Sequence, residues 1–107
     1  MRIEFRIPRR AAEALPLSGM SAQARALGIV PSRIEVTTSN AGRGHVRVAC
    51  SSEMGSFLVE QFRELVVKAG VRKEPLLLID ASLAVSAILA AIDSARRGVG
   101  GVDTPDR

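Results

Sequence analysis

The chain has 107 residues, 15 of them Lys or Arg against 11 Asp or Glu, for a formal charge of +4 and a pI near 10.6. This length fits one domain, and the single Cys50 and single His45 exclude an intrachain disulfide and a Cys/His zinc set. With no Trp or Tyr and only Phe5, Phe57 and Phe62, the core must be aliphatic, and stacking recognition of nucleic-acid bases has no side chains to use.

From the N-terminus, residues 2–7 (RIEFRI) alternate strictly, with Ile3, Phe5 and Ile7 on one face and Arg2, Glu4 and Arg6 on the other. That is the pattern of a half-buried strand, which Pro8 ends. The charged positions also break any signal-peptide core. Leu17, Met20, Ala24 and Leu27 fall at helical spacing and predict a helix closed by Gly28.

A hairpin follows Pro31. Ile34 and Val36 alternate with Arg33, Glu35 and Thr37, and residues 39–44 (SNAGRG) supply turn chemistry. The return strand points Val46, Val48 and Cys50 inward and His45 and Arg47 outward. Ser51 or Ser52 caps the next helix, which runs to Ala69 before Gly70, with Glu53 in its first turn. Its buried stripe is Met54, Phe57, Leu58, Phe62, Leu65 and Val66, and Glu64–Lys68 is a favourable pair on the wet face.

The block Pro75–Ile92 (PLLLIDASLAVSAILAAI) holds only three polar residues, Asp80, Ser82 and Ser86. A membrane span is disfavoured, since Asp80 would cost about 3 kcal/mol near the bilayer centre. The preferred reading makes Leu76–Ile79 a buried strand and lets Asp80 or Ser82 cap a helix ending at Gly98. The fold class is then α+β, a β-α-β-β-α-β ferredoxin-like sandwich plus a C-terminal helix. The alternative is a three-stranded βαββαα arrangement in which the block is one long helix. Residues 1–98 form the domain and 99–107 a flexible tail.

Chemical motifs are weak. The segment Cys50–Ser56 lies where a strand becomes a helix, yet it lacks a Lys for phosphate and the spacing of a P-loop, and it reads as a helix cap with a core cysteine. His45 and Cys50 point to opposite faces of one strand and cannot act together. No catalytic residue, cofactor or metal is assigned, and an enzyme is disfavoured. On the last helix, Val85, Ile88, Leu89 and Ile92 form a large-residue sector for the core. Ala84, Ala87, Ala91 and Ala95 form a small-residue strip beside it, and Leu83 stands apart. The strip permits close approach by another helix. The expected function is therefore non-enzymatic protein–protein contact in the cytoplasm, as a homodimer or as the small adaptor or regulatory subunit of a larger assembly, through Leu83, Ala84, Ala87, Ala91 and Ala95 or an open sheet edge. The alternative is nucleic-acid binding, with Arg2, Arg6, Arg33, Arg43 and Arg47 on phosphates.

Overall fold

A computed structural model describes residues 2–15, 17, 26, 28, 37–40, 42 and 44–97. The elements are β1 (Arg2–Pro8), α1 (Arg9–Ala14), β2 (Thr37–Asn40), β3 (His45–Ser51), α2 (Ser52–Val71) and α3 (Pro75–Arg96). The expected strand at Ile34 and Val36, most of the helix expected from Leu17, Arg33, Arg43 and the tail 99–107 lie outside the described residues. The protein is an α+β domain. Its described strands form one antiparallel sheet in the order β1-β3-β2, with Phe5 opposite Val48 and Ser39 opposite Arg47.

The alternation read in residues 2–7 holds: Ile3, Phe5 and Ile7 are buried and Arg2, Glu4 and Arg6 are exposed. On β3, Val46, Val48 and Cys50 are buried on the same side, while His45 and Arg47 are exposed. The hairpin is shifted, because Ser39 and Asn40, read as turn residues, belong to β2, with Asn40 opposite Val46. Gly42 and Gly44 follow it at φ 97° and 68°, in the region where a Cβ is disfavoured.

Helix α2 begins as expected. Met54 N–H donates to the Ser51 side-chain oxygen at 3.0 Å, an N-cap bond, and Glu53 lies in the first turn. Met54, Phe57, Leu58 and Phe62 are buried, with Leu65 and Val66 half-buried. The ion pair on the wet face is Glu60–Arg63 at 3.1 Å, in place of the expected Glu64–Lys68. Gly55 is buried against β1: a Cβ there would come within 2.6 Å of Ile3 Cδ1 and 3.5 Å of Ile88 Cγ2. This glycine therefore sets how closely α2 approaches both β1 and α3.

The apolar block corrects the preferred reading. Leu76–Ile79 is not a strand but the first turns of α3, a helix of 22 residues with Pro75 at its start. Among the described residues no fourth strand is present, and their order is βαββαα. Neither Asp80 nor Ser82 caps a helix. Asp80 accepts from Arg10 at 2.8 Å, tying α1 to α3, and the Ser82 hydroxyl donates to the Leu78 carbonyl at 2.8 Å. The physical reason is local. Proline at the first helical position is pre-organised for a helix, and three successive leucines are good helix formers. Residues 72–74 then close a tight helical hairpin, with Glu74 N–H donating to the Ala69 carbonyl and Lys73 at φ 58°.

Replacing Gly55 with Leu forces side-chain atoms into the seam between α2, β1 and α3. A loss of about 1–3 kcal/mol of folding stability is expected from overpacking, measured by urea unfolding, with an unchanged midpoint contradicting the close approach.

Candidate interaction surface

Helix α3 meets the core through two alanines and an isoleucine. Ala81, Ala84 and Ile88 are its buried positions, and Val85 and Ile92 flank them half-buried. The helix is thus rotated from the large-residue sector expected for the core, and Leu89 of that sector is exposed. Ala84 is fully buried, so it belongs to the interior rather than to an outer strip. Ala87, Ala91 and Ala95 are half-buried and pack against the core cluster. Small residues on the helix side bring α3 down onto the core side of β1, with which it is in extensive contact.

Small residues on one side leave large ones on the other. Leu76, Ile79 and Leu83 are 60%, 52% and 53% exposed. Only 22% of the most apolar eighteen-residue stretch of α3 is buried, and by length and composition the helix could cross a membrane. At 100° per residue, Leu76, Leu83, Ala87, Ala90 and Ser94 lie along one stripe. That stripe flanks β1. An open groove of about 510 Å³ runs between β1 residues 2–6 and Ala87, Ala90, Ala91, Ser94 and Ala95 of α3. Leu83 continues it past Arg6 and Pro8.

Among the described residues β1 is paired on one side only, because it stands at the end of the β1-β3-β2 order. Arg9 N–H donates to the Gly44 carbonyl at 2.8 Å, continuing the β1–β3 ladder by one step. Backbone groups alternate sides along a strand, so Ile3, Phe5 and Ile7 face β3. The N–H and C=O groups of Arg2, Glu4 and Arg6 then face outward along the groove. Pro8, with no N–H, falls on this outer side, where strand prolines are tolerated.

On the sheet face away from the core, Arg6 stands opposite Arg47 and Glu4 opposite Ala49. Among the described residues, neither Glu4 nor Arg6 takes part in an ion pair. Arg2 and Arg47 are exposed on the same face. The outer face of α3 and the free edge were missed as one surface. The spacing of Leu76, Leu83, Ala87 and Ala90 was visible in the sequence, but which strand lay beside it was not.

The remaining polar groups near the sheet do structural work. The Ser51 hydroxyl is committed to the helix cap, and Ser52 donates to the Glu53 carboxylate at 3.1 Å. Its own backbone N–H, and then the Ser52 hydroxyl, hold the Glu53 carboxyl below the usual range. Cys50 is buried, and desolvation pushes its thiol up to about 11 despite the opposing charge of Arg2. Among the described residues no group of three His, Cys, Asp or Glu side chains is placed to hold a metal. No family model, curated protein or solved structure matches this chain.

The Cys50 shift has a sign. A thiol whose folded pKa lies above its unfolded value leaves stability intact below about pH 8.5 and erodes it as pH rises toward the folded value. Unfolding free energy should therefore fall between pH 9 and 11, and a Cys50→Ala variant should lose that part of the slope. Ellman's reagent should label the native protein slowly at pH 8 and the urea-unfolded protein at once; rapid native labelling would contradict the burial.

Proposed function

We propose that this protein is a non-enzymatic protein–protein interaction domain of the cytoplasm, working as a homodimer or as a small subunit of a larger assembly. The observation that carries the reading is the continuous surface formed by the outer stripe of α3 and the free edge of β1. Large aliphatic side chains in contiguous exposure mark contact surfaces in soluble proteins. A strand edge beside them offers directional hydrogen bonds. The bilayer is the weaker partner for this helix. Ala81, Ala84 and Ile88 are seated in the core and Asp80 is held by Arg10, so insertion would dismantle the domain.

The interaction surface of this reading includes Leu83, Ala87, Ala91 and Ala95 with Ala90 added, and it leaves Ala84 to the core. Leu83→Arg and Ala90→Arg each place a charge on an exposed position, so folding should persist. Native mass measurement of the protein and its copurifying complexes from the host should give an assembly for the wild type. Both variants should give the free chain with an unchanged circular dichroism spectrum. An assembly indifferent to both substitutions would remove the reading.

One observation favours a second reading. Arg6 and Arg47 are cross-strand neighbours, exposed on the open sheet face with Arg2 nearby. Such a face could contact nucleic-acid phosphates. Binding of this kind weakens steeply with salt, and a gel shift at low salt with no retarded band would end it.

A further inference from the structure

Residues of β1 that face its free edge alternate in charge as Arg2, Glu4, Arg6, and this pattern can be tested against itself. When two copies of β1 pair antiparallel about a two-fold axis, residues directly opposite must point to the same face of the sheet. Only registers that set even positions against even ones satisfy this, because odd residues point to the core. Centring the axis on Glu4 sets Glu4 against Glu4 and Arg2 against Arg6, two kinds of like-charge contact. Centring it on Ile3 matches Arg2 with Glu4 but leaves most of the strand unpaired. Centring it on Phe5 sets Glu4 against Arg6 twice and Ile3 against Ile7 twice, over the full strand.

The backbone agrees with the third register. Glu4 and Arg6 carry their N–H and C=O groups on the free edge, so each Glu4–Arg6 contact is a hydrogen-bonded pair. Phe5, bonded toward β3, takes the non-hydrogen-bonded position on the axis. Arg2 N–H can donate to the carbonyl across from it at Pro8, where no N–H is needed in return. Within one chain Glu4 stands directly opposite Ala49 and Arg6 opposite Arg47, and neither makes an ion pair among the described residues, so this register gives each a directly opposite partner of opposite charge.

The helix layer sets a spacing condition on the same axis. Paired strands lie about 4.8 Å apart while packed helix axes stay about 8–10 Å apart, so each α3 must stand back from the axis by about 4–5 Å, with only small residues between the two. α3 lies along β1, and the residues it turns toward the edge are Ala87, Ala90, Ala91 and Ser94, all small.

We infer that a second copy of this chain occupies the free edge of β1, forming a continuous six-stranded sheet in which Glu4 stands opposite the partner subunit's Arg6 and α3 packs on its symmetry mate. This rests on the interaction-domain reading above and gives it a partner and a register. The partner is the chain itself because the edge is complementary in charge to its own reverse.

The test is a charge swap read by sedimentation equilibrium. Wild type should be a dimer at tens of micromolar. Glu4→Arg and Arg6→Glu should each weaken it by roughly tenfold, since every attractive pair becomes a repulsive one. The double variant E4R/R6E should return to near wild-type affinity, because the pairs are restored in reverse. Under mild oxidation the double variant E4C/R6C should become a covalent dimer, with Cys50 buried and unable to compete. A wild-type monomer, an indifferent R6E, or a double variant no tighter than the singles would overturn the inference. If L83R dissociates the wild-type assembly while R6E leaves it intact, the edge register fails and the α3 surface stands. If L83R and A90R are both without effect, the broader reading fails with it.

Discussion

Everything in this domain depends on how closely α3 is laid against β1. On the helix side the buried residues are two alanines and one isoleucine, of which Ala84 and Ile88 pack in one cluster with Ile3, Phe5 and Ile7 of β1. The helix has 22 residues and the strand seven. At about 1.5 and 3.3 Å per residue, α3 is about 10 Å longer than its support. Its first turns run past the strand, and Leu76, Ile79 and Leu83 stay more than half exposed. The exposed apolar surface follows from a mismatch in length between two packed elements.

The rest of the core fixes that seat in place. Gly55 lets α2 come down onto Ile3 and Ile88 together, so one missing side chain joins strand and both long helices. Phe62, Met54 and Leu58, all fully buried, fill the space an aromatic-rich core would give to Trp or Tyr. The Arg10–Asp80 pair ties α1 to α3 through a largely buried partner, Asp80. The Glu60–Arg63 and Asp93–Arg97 pairs are exposed and contribute little to stability. Asp80, the charge that interrupts the apolar block, therefore orients the block rather than ending it.

Periodic signals carried across the whole chain were legible. The alternation of residues 2–7, the inward Val46, Val48 and Cys50, and the cap and buried stripe of α2 are local patterns with one physical solution each. Leu76–Ile79 was different, because four apolar residues suit a buried strand and a helix equally. The decision lay in Pro75 and the leucines, and in a connector of three residues that holds two long helices side by side. The alanine strip was visible, and the structure sets Ala87, Ala91 and Ala95 beside β1, a neighbour that helical spacing alone does not name. Strand order is non-local: nothing in Arg2–Pro8 announces that its second side is unpaired.

Charge then decides what kind of partner such an edge can accept. A chain carrying +4 repels its own copy at long range. That repulsion acts over distances that physiological salt screens, with a Debye length of about 8 Å. A Glu4–Arg6 contact in a hydrogen-bonded strand pair spans a Cα separation of about 5.5 Å and is screened far less. Added salt therefore removes the penalty of bringing two basic chains together sooner than it removes the pairing that holds them. Self-association through this edge should depend on salt shallowly, whereas phosphate binding by Arg2, Arg6 and Arg47 must release counterions and fall steeply. The same arginines thus imply opposite salt behaviour in the two readings, and the alternation with Glu4 is what favours the first.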